Sequence, residues 1–433
     1  GSYTYTVTAV DMAGNASQAA GTVQVASPVA DVTFPTISGL LDYPDPFTPQ
    51  LQEHLIEYRV DEPANTSVEI RDAGSQLVRS YPGRFVQPDL VQMTEVGTLA
   101  ENSGYIAGIR ARGGYAYFND SVGWLHFVDL KNPSAQGSLE LGISDSPVEI
   151  VGSRLFVIGQ KSNGDGGKEF VEVDISTPSE PVEKHRIAVG VEALGMAASS
   201  DGRYLFAAHG DGAADLSIYN LTGPEPFLVA QSTETTSYFR SIQVVGNILY
   251  VVYDDQVCCG ATLRLFDVSV PTAPLVSIGE IALVIRPERV DMSPDGRFFY
   301  YTSYDNGIGT VHVIDVSAPT APVQAAAFTR EGLAGGVVVH GRFLYVGDDV
   351  LDAQNPLALA YVGPGGPSTI HSAAASENRL ITGGGGAPVI FDLSPAGSDR
   401  VAWDGKDGGG ALAPPGSYTY TVTAVDMAGN ASQ

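Results

Sequence analysis

The chain has 433 residues, 44% of them hydrophobic, which is enough apolar material for folded cores and excludes a disordered chain. With 23 basic against 49 acidic residues its formal net charge is −26, so its surface repels nucleic acid and anionic membranes. No apolar run is long enough for a membrane span, and the two cysteines, Cys258 and Cys259, are adjacent and outside any CxxC pattern, which leaves cysteine-held zinc and attached haem unsupported.

Glycine (50) and proline (27) punctuate short alternating stretches rich in Thr, Val and Tyr, and sustained helical periodicity is lacking. The expected class is all-β. Gly1 to Gln18 reads GSYTYTVTAVDMAGNASQ, and Gly416 to Gln433 repeats it without a change. Chance does not produce such an identity. The expectation is one period of a tandem array, or a subunit carrying a duplicated end segment, with this string at the joint between units. Residues 1–27 are then the terminal strands of a preceding unit, with Gly21 to Ala26 as its last strand.

Residues 28–83 follow as the first half of a sandwich. His54 to Val60, Ser67 to Asp72 and Gln76 to Ser80 alternate like half-buried strands. Residues 84–397 repeat two landmarks. One is an Asp or Asn after an apolar strand, mostly followed by a proline turn, at Asp129, Asp174, Asn220, Asp267, Asp315, Asp352 and Asp392. The other is a tight turn before an aromatic or aliphatic strand, at Gly113, Gly152, Gly202, Gly246, Gly296, Gly341 and Asn378. Their sevenfold alternation, at the spacing of a four-stranded unit, predicts a seven-bladed β-propeller. The segment Val91 to Leu99 precedes the first turn and is expected to complete the last blade beside Val389 to Asp392. Residues 398–433 return to the sandwich through Arg400 to Gly405 and the repeated end string.

These landmarks resemble the LVIVD repeat family of bacterial surface propellers, which implies a cell-surface setting and no chemistry. The flanks resemble the immunoglobulin-like domain of the flagellar hook-capping protein and many bacterial surface proteins, at Asp42 to Phe47, Glu62-Pro-Ala64, Glu69 to Asp72, Trp403-Asp-Gly405 and Gly416 to Asn430. The combination predicts a seven-bladed propeller inserted into one loop of an immunoglobulin-like β-sandwich.

Catalytic signatures are lacking. The seven histidines scatter over the chain at 54, 126, 185, 209, 312, 340 and 371 without HExxH or HxH spacing, and no nucleophile elbow, Walker loop or dinucleotide fingerprint occurs. No enzymatic activity and no cofactor are therefore expected. Acidic loops at Asn163 to Gly166, Asp211 with Asp215, Asp254-Asp255, and Asp348-Asp349 with Asp352 leave calcium open, against the plainer reading of solvated hairpin tips. Tyr204, Phe206, Tyr250, Phe298, Tyr300 and Tyr345 are read as packing between blades, with a sugar platform as the alternative. Cys258 and Cys259 form either a vicinal disulfide or two free thiols.

The expected function is a structural repeat of an extracellular filament or giant surface protein. Copies of the chain would join head to tail through Tyr3, Tyr5, Val7, Val23, Val25, Tyr418, Tyr420 and Val422. The alternative is an adhesin whose propeller binds surface glycans or proteins. Nucleic-acid partners and membrane insertion are not expected.

Overall fold

The computed structural model describes residues 33–433 except 46, 50–52, 88–91, 100–105, 145, 210–215, 233–238, 255–259, 272–274, 286, 288, 365–371, 377, 384–386 and 395–397, together with the backbone of 2–10 and 16–24. Cys258, Cys259, Val25, Asp211, Asp215, Asp255 and His371 lie outside the described residues, as do the side chains of Tyr3, Tyr5, Val7, Val23 and Asp254. Among the described residues no helix is long and apolar enough to cross a membrane.

The fold is all-β, and its largest part is a β-propeller. Between residues 92 and 394 the chain forms consecutive antiparallel sheets of four main strands. The first runs Ile106–Arg112, Tyr115–Asp120, Trp124–Asp129, Gln136–Glu140, and the pattern recurs through sheets whose innermost strands are Val148–Val151, Ala193–Ala198, Phe239–Val245, Val290–Met292 and Val337–His340. In the last sheet, Ser372–Ser376, Arg379–Gly383 and Val389–Ser394 take their fourth strand from Gln92–Thr98. That strand runs antiparallel to Val389–Ser394, from Val389 opposite Thr98 to Ser394 opposite Gln92.

Turn chemistry explains why each sheet ends where it does. The landmark carboxylates accept hydrogen bonds from the backbone two residues on: Asp129 from Lys131 N (2.8 Å), Asp174 from Ser176 N (2.8 Å) and Asp315 from Ser317 N (2.9 Å). Asn220 receives Thr222 N in the same way at 2.8 Å. Asp267 accepts Ser269 N likewise at 2.8 Å, and hydrogen bonds from Ser176 to Asp174, from Ser269 to Asp267 and from the Ser317 hydroxyl and N–H to Asp315 hold these three carboxyls below the ordinary carboxylate range.

Apolar clusters join each sheet to the next. Phe206 packs with Ile242, Leu249 and Val251, and Tyr250 with Phe299 and Tyr301. Phe298 and Tyr300 meet Leu344 and Val346, and Tyr345 meets Leu380 and Phe391. Ile381 and Ile390 of the last sheet share a cluster with Ile106, Ile109 and Phe118 of the first. The aromatic rings of the turn-following strands are thus sealed between sheets, where each buries a large apolar area. The innermost strands surround a cavity of about 800 Å³.

Both ends of the chain build a second unit of two facing sheets. One contains Ile37–Tyr43, His54–Val60 and Ser398–Trp403. The other runs in the order Ala431–Ser432, Tyr418–Asp426, Ala64–Asp72, Leu77–Val86. Ile56, Tyr58, Val68, Ile70, Val401, Trp403 and Val422 form the core between them. Ala64–Asp72 alternates buried and open positions as expected, but His54–Val60 departs from the half-buried pattern. His54, Leu55, Ile56, Glu57 and Tyr58 are all buried, because the outer face of this strand lies against the propeller.

Candidate functional site: an open strand edge and the junction beneath it

The duplicated string can be followed at both ends. At the N-terminus, Ser2–Val10 pairs antiparallel with Ala16–Gln24 over nine rungs, from Ser2 opposite Gln24 to Val10 opposite Ala16. At the C-terminus the same register begins again, with Val425 opposite Ala431 and Ala424 opposite Ser432. The opposite edge of Tyr418–Asp426 is fully paired with Ala64–Asp72, from Tyr418 opposite Asp72 to Asp426 opposite Ala64. Among the described residues, no strand pairs with the outer edge of Tyr418 to Thr423, and none pairs with the N-terminal hairpin.

The hairpin turn is held locally. Asp426 Oδ1 accepts Asn430 N at 2.8 Å, and Asn430 Nδ2 donates to Asp426 Oδ2 at 2.7 Å. Desolvation raises the pKa of this carboxyl, but the hydrogen bonds from Asn430, Gly429 and Ala428 outweigh it and hold the group below its usual value. Tyr418, Tyr420 and Val422 turn inward. Val422 is buried in the core, and the Tyr418 ring stands edge-on to Trp403 at 5.0 Å. What the strand presents at its outer edge is therefore main-chain N–H and C=O, the groups that accept another strand.

A second feature was not visible in the sequence. The two-sheet unit sits on first-to-second-strand turns of the propeller through a buried polar network. Arg400 Nε donates to Glu57 Oε2 at 3.1 Å, and the two residues are 3% and 0% exposed. Arg342 N donates to the same oxygen at 3.3 Å, Arg400 Nη2 to His340 O at 3.4 Å, and Gly341 N to Tyr43 Oη at 2.9 Å. Nearby, Asn378 Nδ2 donates to Asp399 Oδ1 at 2.7 Å, while Tyr58 Oη donates to Asp399 Oδ2 at 2.8 Å. Gly113 N reaches Glu53 Oε1 at 3.0 Å on the first sheet. Burial pushes the Tyr43 phenol up, reinforced by the Glu57 charge. For Arg400, desolvation acts to lower the pKa, but the surrounding Glu57, Tyr345 and Tyr43 more than reverse it. Gly341 has φ +62°, and a Cβ there would overlap Glu57 Oε2, so this turn needs glycine for both backbone and space. The sequence signal was weak: charges stand beside the apolar positions of both strands, Glu57 and Arg59 in HLIEYRV and Asp399 and Arg400 in SDRVAW.

The remaining candidates are occupied by structural bonds. His126 Nε2 lies 2.9 Å from Asp120 Oδ2, His209 Nε2 2.8 Å from Ser217 Oγ, and His312 Nε2 2.8 Å from Ser303 Oγ, each within its own sheet. In the loop at Asn163 to Gly166, Asp165 accepts Gly167 N at 2.7 Å and pairs with Lys161. Asp349 pairs with Arg330, and Asp352 with Arg342. Among the described residues, no group of three His, Cys, Asp or Glu converges as a metal site would require.

Comparison with known proteins agrees with the fold. The LVIVD repeat family matches residues 103–138, 164–189 and 331–363. The β-propeller domain of Cps50 (Swd1) from Myceliophteria thermophila superposes with a TM-score of 0.50 at 12% identity, covering 70% of this chain and 100% of that one. Hydrazine synthase from Kuenenia stuttgartiensis gives 0.50 at 15% identity, covering 70% and 99%. At these identities the likeness concerns fold alone. No curated protein matches the sequence.

Proposed function

We propose that the chain is a structural unit of an extracellular filament or giant surface protein. In this reading it is a seven-bladed propeller inserted into one immunoglobulin-like sandwich, joined head to tail to its neighbours, and without enzymatic activity. The sheets of the propeller, linked cluster by cluster from the first to the last and back to the first, support seven blades. The sheets drawn from both chain ends, with the propeller between them in sequence, support the inserted sandwich.

One observation carries the function. The same string pairs in the same register at both ends, over nine rungs at the N-terminus and two at the C-terminus. In the N-terminal copy the second strand runs from Ala16 to Gln24. Placed on the outer edge of Tyr418–Asp426, residues 18–24 of a neighbouring copy would continue the rungs started by Ala431 and Ser432, either in one covalent array or as a donated strand. Such a contact is heterologous and propagates.

The joint is tested at Val23, which stands opposite Tyr3. The identical string places it opposite Tyr418, facing the Trp403 core. Val23→Asp, alone or with Val25→Asp, puts a carboxylate into that apolar face. Purified chain is expected to give concentration-dependent linear assemblies in sedimentation and electron microscopy, and the variants short or none, with the propeller still folded. Normal assemblies with both changes sink the proposal.

A further inference from the structure

The strand registers define the wall of the propeller cavity layer by layer. Arg110 stands opposite Tyr117, Glu149 opposite Phe156, Gln243 opposite Tyr250 and Asp291 opposite Tyr300, each on the innermost strand of its sheet. Ala197 opposite Phe206, Val338 opposite Tyr345 and Ala374 opposite Ile381 occupy the corresponding places in the other sheets. One layer of the channel is therefore polar on four sheets and small or apolar on three. Two residues earlier along these strands the cavity is lined by Gly108, Pro147, Gly195 and Ser241, and by one long side chain, Arg289.

The acids of the polar layer are already supplied with donors. Glu149 Oε2 accepts Arg110 Nε at 2.7 Å, and its Oε1 accepts Ala198 N at 3.4 Å. Asp291 Oδ1 accepts Gln243 Nε2 at 3.1 Å and Met292 N at 2.9 Å, and Oδ2 accepts Val339 N at 2.9 Å. Arg110 is bound as well, adding Ile109 O at 3.2 Å to its Glu149 partner. Arg289 is not matched in this way. Its Nη2 donates to Ala373 O at 2.9 Å, while its Nε is buried and finds no acceptor among the described residues. Desolvation lowers its pKa, Asp291 acts against that, and Arg110 adds repulsion. A guanidinium carries five N–H donors, and a buried donor left without an acceptor is costly.

We propose that the channel is a binding site for a small hydroxylated carboxylate of the size of a sugar acid, held through its carboxylate by Arg289. A planar carboxylate matches the guanidinium fork. The two arginines and two acids of the channel balance, so a monoanion meets less repulsion from Glu149 and Asp291 than a dianion would. Ser241 and Gln243 line the same stretch and offer a hydroxyl and, with Gln243 Nε2 donated to Asp291, an amide carbonyl oxygen to ligand hydroxyls. The inference stands independently of the head-to-tail joint.

The experiment titrates the full chain with sodium glucuronate by calorimetry and follows its thermal midpoint, with glucose and inorganic phosphate as comparison probes. The expected result is saturable glucuronate binding with a raised midpoint, no response to glucose and a weaker one to phosphate. Arg289→Met should weaken glucuronate at least tenfold while leaving the unliganded midpoint equal or higher. Arg289→Lys, which keeps the charge and loses the fork, should fall between them and serves if the methionine variant does not fold. No glucuronate binding by the unmodified chain, stronger binding of phosphate than of glucuronate, or unchanged affinity in both folded variants would overturn the proposal.

Discussion

Removing Arg400 should loosen the two-sheet unit from the propeller more than any other single substitution at the junction. Arg400→Ala leaves Glu57, which is 0% exposed, without its counter-charge. Breaking a buried pair from one side costs about 3–5 kcal/mol, because the remaining charge stays desolvated. With a urea dependence of about 1–3 kcal/mol per molar, the midpoint of this unit should fall by on the order of 1–5 M. The chain has 2 tryptophans, one in each part: Trp403 in the core of the two sheets and Trp124 on the first propeller sheet. In a Trp124→Phe background, Trp403 fluorescence reports the two-sheet unit alone.

The double variant Glu57→Met with Arg400→Met decides the reasoning. Among the described residues, Glu57 Oε1 and Arg400 Nη1 have no hydrogen-bond partner, so the pair is incompletely satisfied and its net contribution to stability should be small. The double variant is expected within about 1 kcal/mol of the parent, or above it, although each single variant is crippled. An unchanged Trp403 midpoint in Arg400→Ala would refute the argument. So would a double variant as unstable as the two single changes added together.

The propeller should fold by itself as residues 87–396, because its inter-sheet clusters draw no residue from the two-sheet unit; circular dichroism and a cooperative melt check this. Deleting residues 90–99 strips Val389–Ser394 of its outer partner and should lower solubility, measured as the fraction left in the supernatant after centrifugation. Burial raises the phenols of Tyr43, Tyr117 and Tyr300. Their unfolded value is about 10, so above that pH the unfolded state releases protons that the folded state retains. The thermal midpoint should therefore fall as pH rises beyond about 10, and Tyr43→Phe should reduce that fall. For Cys258 and Cys259, intact mass with and without reductant before alkylation separates a vicinal disulfide from two free thiols.

Much of the propeller was legible because its signals are local. An Asp that caps a turn two residues later leaves a fixed mark, and so does the turn before an aromatic strand; Asp129, Asp174 and Asp315 make the bonds that mark implies. The pairing of Gln92–Thr98 with Val389–Ser394 was readable for a related reason. Each earlier Asp landmark is followed by an outer strand, and after Asp392 the pattern offered none, so the partner had to come from elsewhere.

The junction was illegible because alternation describes a strand with one wet face. Glu57 and Arg400 fall where a half-buried strand would turn to solvent, and only the propeller turn at Gly341 makes that face an interior. The polar layer of the channel was hidden differently. Arg110, Glu149, Gln243 and Asp291 are far apart in sequence, and each sits in an unremarkable strand. They become one layer only when the register of each sheet is known. Local chemistry thus announces the blades. The contacts that could give this chain work to do, at the strand edge, at the junction and within the channel, are fixed by register and by which face another sheet covers.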